Sequence, residues 1–379
     1  IKMKSFLRIK LILISNCVIL LSYNCFSQTT SPNFISSSNA YLGSLLIPKS
    51  NRSLDKGNPT GIEVNYIHPT NGIKRWERIF HYPEIGVSFI YLDFANNEQL
   101  GKGMSIYPFI DFNLTRHKKI SLHFKIATSL GVVTKKFDPI NNPENLAIGS
   151  YLNGFVNLRM NAKIHLTKNL RIETGLGLSH FSNGAMALPN LGINIFSCNL
   201  GMGYQFNASA AKLHLDTFSL PSQKIHIVIY TALGLRSISR TDQTKFPAGI
   251  ISINLERNKG TKTKWNTGLE FAYSTARLSK TKADPSIENY KDLQNIQAGF
   301  KIGYAFCVGQ LSFPLEMGVF LYSKPQNEYF FHRIGLRYQI SKHFIVGFTL
   351  KTEWAVADFF EMNVGYTFPC KSNRANKIN

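Results

Sequence analysis

A histidine and a serine two residues apart, His180 and Ser182, have the types and spacing that a hydrolytic reaction needs. Residues two apart on a β-strand project from the same face, so this spacing places a base beside a hydroxyl group. Asn194, on the following predicted strand, falls on the same face and can accept a hydrogen bond from the ring of His180. The pattern predicts a serine nucleophile, a histidine base and acid, and an orienting amide, although His-x-Ser pairs also occur at ordinary strand ends.

The loop between the two predicted strands supplies hydrogen-bond donors for a developing oxyanion. We expect Asn183, Gly184 and Asn190 to serve in this way, because amide side chains and backbone N–H groups stabilise a negatively charged oxygen. The sequence contains no H-E-x-x-H motif, no Cys-x-x-Cys, no phosphate-binding loop and no dinucleotide fingerprint. Neither a metal ion nor an organic cofactor is therefore predicted.

The elements that must position these residues are β-strands, because apolar side chains alternate along most of the chain. Between Tyr151 and Ile164 one face is apolar, whereas the other carries Asn, Arg and Lys, with Phe155 as its exception. Charged residues and glycines at mid-strand are typical of the wet interior of a membrane barrel whose outside faces lipid. The alternative is a soluble secreted β protein, whose apolar face would be buried in a core.

The connections between the predicted strands alternate between short and long. Residues 116–118 and 167–169 form short turns, whereas 135–147 and 277–292 form long loops, as in outer-membrane barrels. Backbone groups in lipid must all be hydrogen-bonded, so the sheet should close. We predict an all-β protein with a transmembrane antiparallel β-barrel of roughly 14–16 strands, in the bacterial outer membrane.

The N-terminus has the composition of a secretory signal peptide. Basic residues between Lys2 and Lys10 precede an apolar stretch from Leu11 to Leu21, and small residues precede a cleavage site after Ser27. We assign residues 1–27 to a signal peptide and the Ser/Thr/Asn-rich residues 28–39 to a flexible leader. The barrel is then predicted over residues 40–368.

The last predicted strand ends in an aromatic residue, Phe368. Such an ending resembles the assembly signal of bacterial outer-membrane barrels, so the barrel-assembly machinery is an expected partner. Residues 369–379 are assigned to a C-terminal tail.

Composition excludes several classes of protein. Lys and Arg total 43 against 22 Asp and Glu, a formal charge of +21, yet only 17% of residues are charged, below the ~25% of typical soluble domains. Beyond the N-terminus no apolar run approaches the ~18 residues of a membrane-spanning helix. Five scattered cysteines provide no disulfide framework and no multi-cysteine zinc module. A secreted barrel rarely meets nucleic acid, so we predict no nucleic-acid partner.

The hairpin resembles the active-site hairpin of a known family. His180-Phe181-Ser182-Asn183, followed by Pro189-Asn190-Leu191-Gly192-Ile193, is similar to the motif of the outer-membrane lipid A 3-O-deacylases, the PagL type, often labelled acyloxyacyl hydrolases. The stretch from Trp76 to Phe94 looks like larger relatives from the Bacteroidetes.

That family is a barrel with a Ser-His-Glu triad open to the outer leaflet. The resemblance therefore implies a serine esterase that removes an ester-linked acyl chain from lipid A, with His180 and Ser182 in the triad. Lipopolysaccharide and outer-membrane lipids would be the partners, because basic loop residues attract their phosphates.

Two features depart from the family pattern. The triad's Glu falls at Asn194, whose amide can hold a ring tautomer but offers no negative charge to an imidazolium. The family's small barrels have eight strands, fewer than predicted here, with the hairpin at about strands seven and eight. The alternative function is therefore a non-catalytic barrel, either a porin or transporter or a relative with a degenerate site. The acyl chain removed and the oligomeric state are left open.

Overall fold

The computed structural model describes residues 33–115, 119–207, 225–242, 244–283, 295–323, 329–354 and 356–368. These residues form sixteen β-strands, a 3₁₀ helix at Lys49–Leu54 and two α-helices, α1 (Arg75–Ile79) and α2 (Thr275–Lys282). The strands are β1 (Phe34–Leu45), β2 (Thr60–Pro69), β3 (Glu84–Asp93), β4 (Lys102–Asn113), β5 (Ile120–Val133), β6 (Leu152–His165), β7 (Leu170–Ser182), β8 (Ile193–Phe206), β9 (Ile225–Arg236), β10 (Phe246–Lys259), β11 (Thr263–Ser274), β12 (Ile296–Val308), β13 (Leu311–Tyr322), β14 (Phe330–Gln339), β15 (Phe344–Glu353) and β16 (Val356–Phe368). None of the helices in this part of the chain is both long and apolar enough to cross a membrane.

The strands close into two antiparallel barrels of eight. In the first barrel β1 pairs with β8, and in the second β9 pairs with β16, so that all strand edges in both sheets are hydrogen-bonded. The predicted class and the predicted strand number are confirmed. The strands nevertheless form two barrels and not the single barrel predicted over residues 40–368. Apolar and polar side chains alternate in the same way in every strand. This pattern therefore does not indicate which two strands pair to close a barrel.

Apolar side chains surround the outside of both barrels. Every strand exposes at least one large apolar residue, in alternation with buried inward-facing ones. On β1 to β8 these include Leu42, Ile62, Val87, Ile106, Leu130, Met160, Leu176 and Leu200. On β9 to β16 they include Leu233, Ile251, Leu269, Ile302, Leu315, Ile334, Phe348 and Met362. An apolar band around a closed barrel is the surface that lipid covers, so each unit is a transmembrane barrel.

Charged side chains fill much of the interior of the first barrel. Lys125 Nζ lies 2.8 Å from Glu63 Oε1, and Lys163 Nζ lies 2.6 Å from Glu84 Oε2 and also contacts Asp111. An eight-stranded barrel is just wide enough for its own side chains to fill it. The polar face of the alternating pattern is therefore satisfied by ion pairs inside the barrel, which offset the cost of burying charge.

An apolar plug occupies the interior of the first barrel beneath its long loops. The rings of Phe155 and Phe181 are 4.7 Å apart, Phe94 lies 5.7 Å from Phe181, and all three are fully buried. Leu54 and Leu100 from the loops join the same cluster. Phe155, the apolar exception on the polar face of β6, is therefore part of this plug.

Arg333 organises the interior of the second barrel. Its guanidinium donates to Glu270 at 2.8 and 3.0 Å, to Glu361 at 2.6 and 2.9 Å and to Glu316 at 3.0 Å. Glu316 is completely buried and also accepts from Lys301 Nζ at 2.9 Å. One cation thus holds together carboxylates from three other strands.

We expect Arg333→Met to lower the free energy of unfolding of the second barrel by about 3–5 kcal/mol, because it leaves buried carboxylates short of a partner. The measurement is a denaturant titration in lipid vesicles, followed by the gel-mobility shift between folded and unfolded barrel. Arg257→Met, at an exposed position on the lipid-facing side of β10, is the matched control and should change stability by less than about 0.5 kcal/mol. Equal losses in the two variants would contradict the role assigned to Arg333.

The predicted ends of the chain fall largely outside the described residues. The signal peptide (1–27) and the C-terminal tail (369–379) both lie there. The prediction of a flexible leader over 28–39 is wrong for residues 34–39, which belong to β1. The polar residues that suggested a leader face the barrel interior instead, where Ser37 and Asn39 each donate to Glu173 at 3.2 Å.

Candidate active site

His180 and Ser182 lie at the end of β7 that leads into the loop 183–192. They share the face of Leu176, which is 53% exposed on the outer wall. Ser179, which precedes His180, and Phe181, which lies between His180 and Ser182, are buried in the interior. Both side chains therefore project from the lipid-facing wall, on the face that the alternation predicts. Their Cα atoms are about 6.6 Å apart at the usual rise of a strand. His180 is half-buried and Ser182 is 7% exposed.

Asn194 holds the imidazole ring of His180. The two residues are directly opposite each other in the pairing of β7 with β8, and His180 Nδ1 lies 2.7 Å from Asn194 Oδ1. Because a carbonyl oxygen can only accept, Nδ1 carries the proton and donates it, and Nε2 carries the lone pair. This tautomer is the one that a general base needs.

Asn190 fixes the hydroxyl group of Ser182. Its Nδ2 donates to Ser182 Oγ at 2.9 Å, while its Oδ1 accepts the backbone N–H of Asn183 at 3.0 Å. The structure thus brings Asn190 into direct contact with Ser182, and the N–H of Asn183 orients Asn190. Gly184, the third predicted donor, begins the following turn with φ of +60°, a conformation that glycine adopts without strain.

Gly192 packs against the imidazole of His180. Its φ is +80°, and a Cβ atom at this position would lie 2.8 Å from His180 Cε1. Its backbone N–H donates to the carbonyl oxygen of Ala147 at 2.8 Å. This contact explains why the Pro-Asn-Leu-Gly segment ends in glycine, since any side chain at position 192 would displace the imidazole ring.

We expect Gly192→Ala to lower the rate of any ester hydrolysis that depends on His180 by about tenfold to a hundredfold, because displacement of a reacting group by about 1 Å has effects of this size. The left-handed backbone should also cost about 1–2 kcal/mol of stability. Initial rates and a denaturant titration on the same sample measure both effects. Gly260→Ala, also at positive φ but with open space around its Cβ, is the control; it should lose stability and keep activity.

The β5–β6 loop supports the hairpin, a contribution that the motif does not indicate. Asn183 Nδ2 donates to Ser150 Oγ at 2.8 Å, and Asn145, which is fully buried, accepts the N–H of Ala147 at 3.2 Å. Ser150 lies 33 positions before Asn183 in a segment without periodicity. No sequence signal connects these residues to the site, and only the fold reveals them.

One group of potential metal ligands occurs among the described residues. Ligand atoms of Glu84, Asp111 and His123 lie within 4.8 Å of one another inside the first barrel. Lys163 contacts both carboxylates, so this cluster forms part of the interior ion-pair network. It faces the interior, whereas His180 and Ser182 face the outside.

Comparison with known families assigns both barrels. Residues 60–203 match the family model described as lipid A 3-O-deacylase (PagL), and residues 223–371 match that of the acyloxyacyl hydrolase C-terminal domain. The first match contains the whole of the His180–Asn194 hairpin, and the second covers β9 to β16. No curated protein sequence matches the chain.

Solved outer-membrane barrels are similar to the chain at low sequence identity. Neisserial surface protein A is 11% identical, with 46% of this chain and all of that one covered at a TM-score of 0.33. Omp33 of Acinetobacter baumannii is 9% identical, with 90% and 100% covered at a TM-score of 0.18. The toluene transporter TodX of Pseudomonas putida is 7% identical, with 89% and 90% covered at the same score. Nothing about function follows from likenesses of this size.

The two family matches together extend over most of the described chain, and both carry the name of the same enzyme family. The hairpin motif and the closed lipid-facing barrels agree with them. The chain therefore belongs to the lipid A 3-O-deacylase (PagL) family, as a member with two barrels that resides in the bacterial outer membrane.

Proposed function

We propose that this protein is a serine esterase that hydrolyses an ester-linked acyl chain of lipid A. The observation that carries the proposal is the 2.7 Å hydrogen bond between His180 and Asn194, because it makes Nε2 the basic nitrogen two residues from a serine hydroxyl. The family description, which names lipid A deacylation, supports the same substrate. The position of the pair on the outer wall supports a substrate that reaches it from the membrane.

In the first half-reaction, Ser182 Oγ attacks the carbonyl carbon of the ester and its proton passes to His180 Nε2. The carbonyl oxygen becomes an oxyanion, which Asn190 Nδ2 can stabilise from its place beside Oγ. Collapse of the tetrahedral intermediate breaks the bond to the alcohol oxygen of lipid A, which leaves with the proton held on Nε2. The acyl chain is then bound to Ser182 as an ester.

In the second half-reaction, water attacks the acyl-enzyme while Nε2 takes a proton from it. The bond to Ser182 Oγ breaks, the proton returns to Oγ, and the fatty acid leaves. Asn194 keeps Nδ1 protonated throughout, so Nε2 is the basic nitrogen in each half-reaction. No step requires a second reactant other than water.

Asn194 also limits this chemistry. Its amide orients the ring, but it lacks the negative charge that would stabilise the imidazolium formed when Ser182 loses its proton. We therefore propose an enzyme with a low turnover, in which orientation is retained and charge stabilisation is absent.

The interior of the barrels argues against the alternative of a pore. The side chains of Arg159, Lys163, Lys301 and Lys351 are all fully buried inside the eight-stranded barrels. Eight strands leave space for side chains and not for a water-filled channel. We therefore expect no stepwise conductance when the protein is added to a planar bilayer.

The decisive experiment uses purified protein reconstituted with lipid A in vesicles. Mass spectrometry should show lipid A that has lost one acyl chain, together with the free fatty acid in equal amount. Vesicles without the protein are the control for spontaneous hydrolysis. Unchanged lipid A after prolonged incubation with folded protein would overturn the proposal.

A further inference from the structure

The outer wall beside Ser182 carries no side chain on one flank. Gly154 of β6 lies directly opposite Ser182 in the pairing of β6 with β7, and it is on the outward face. Residues directly opposite on neighbouring strands have Cβ atoms about 4.5–5.5 Å apart, so a side chain at position 154 would lie beside the serine hydroxyl. Leu152 and Leu130, which surround Gly154 on the same face, are 56% and 60% exposed.

Apolar outward residues continue from Gly154 along β6. Val156 lies opposite His180 and Leu158 lies opposite Leu178, so the outward residues after Gly154 are branched and apolar. The other flank differs at the level of His180, because the outward residue opposite it on β8 is the polar Asn194, and the outward face of β8 becomes apolar only one pair further on, at Phe196. The two sides therefore differ where they adjoin His180, and a hydrocarbon chain that starts at Ser182 is better matched to the β6 side, which is apolar without interruption.

We propose that Gly154 determines substrate specificity by admitting a long acyl chain to Ser182. The ester carbonyl would reach Ser182 Oγ over the missing side chain, and the hydrocarbon would lie along Val156 and Leu158 towards the centre of the bilayer. The inference rests on the proposed function and adds to it the residue that admits the acyl chain and the strand along which the chain lies. Short soluble esters need only the hydroxyl group and not this path.

The test compares Gly154→Val with the wild-type protein on long and short esters, namely lipid A and p-nitrophenyl acetate. We expect the rate on lipid A to fall by about tenfold or more relative to the rate on the acetate, a size typical of a steric change in a binding pocket. Gly249→Val is the matched control. It also faces lipid, but on the second barrel, and its Cβ would meet only Leu233 at 3.8 Å. It should leave both rates unchanged.

A covalent probe separates failure of this inference from failure of the proposed function. An alkyl fluorophosphonate reacts with an activated serine: the Ser182 Oγ–P bond forms, the P–F bond breaks, and the serine proton leaves with fluoride by way of His180. Hexadecyl and ethyl probes should label the wild type, and Gly154→Val should lose labelling by the hexadecyl probe alone.

Equal labelling of Gly154→Val by both probes, with unchanged lipid A hydrolysis, would overturn the role of Gly154 and leave the esterase proposal intact. Loss of both labels in a folded variant would also overturn it, because the valine would then block the hydroxyl irrespective of chain length. If neither probe labels the wild-type protein, Ser182 is not an activated serine, and both the esterase proposal and the role of Gly154 are wrong.

Discussion

Ser182→Ala is expected to lower the rate of lipid A deacylation by at least about a thousandfold. In the proposed mechanism the substitution removes the oxygen that attacks the ester, and in serine hydrolases loss of the nucleophile leaves only the residual effect of binding and oxyanion contacts. The fold should persist, because Ser182 is the last residue of β7 and its side chain contacts Asn190 of the neighbouring loop. The measurement is the mass spectrum of lipid A after incubation with equal amounts of folded wild type and variant.

Ser179→Ala provides the control for this prediction. Ser179 lies three positions earlier on the same strand but faces the interior, where its hydroxyl accepts from Asn157 Nδ2 at 2.9 Å. If Ser182 is the nucleophile, the Ser179→Ala variant should deacylate lipid A at a rate within about threefold of the wild-type rate. Deacylation that survives Ser182→Ala in folded protein would assign the reaction to another residue or another protein.

The class of fold could be predicted because each strand carries its own evidence. In β6 apolar and polar side chains alternate, with Gly154 and Val156 outside and Asn157 and Arg159 inside, and this alternation indicates which face of the strand contacts lipid. Closure could not be predicted, since the pairing of β1 with β8 joins segments far apart in sequence and leaves no local signal. The start of β1 was missed for a related reason. Its inward side chains, such as Ser37 and Asn39, are polar because they bind Glu173 on another strand, so the segment resembles a polar leader in the sequence.

The candidate site was predictable to the extent that it lies on one hairpin. His180, Ser182 and Asn194 follow from strand parity and from the family motif, and the β7–β8 pairing places His180 opposite Asn194. Ser150 and Gly154 were not predictable as parts of the site, because their relation to it arises from the pairing of β6 with β7 and from a loop contact. A motif can contain the reacting groups, but the walls around them come from neighbouring strands.

The second large effect is expected at Asn194, where an isosteric change isolates charge from geometry. Asn194→Asp keeps the acceptor oxygen 2.7 Å from His180 Nδ1 and adds a negative charge beside the ring. This charge would stabilise the imidazolium that forms as Ser182 attacks. The reverse change in a protease triad lowers the rate by about 10⁴, so we expect an increase of about a hundredfold or more in the rate of deacylation.

Three comparisons make this prediction specific. Asn194→Leu is similar in size but accepts no hydrogen bond, so it should lower the rate below that of the wild type. Asn199→Asp adds the same charge on the same strand, but towards the interior beside Arg159, and should leave the rate unchanged. Asn194→Glu restores the family residue with one more methylene group, and it should gain less than Asn194→Asp if the 2.7 Å geometry matters. A folded Asn194→Asp variant no faster than the wild type would mean that ring orientation alone, and not the missing charge, sets the rate of the proposed reaction.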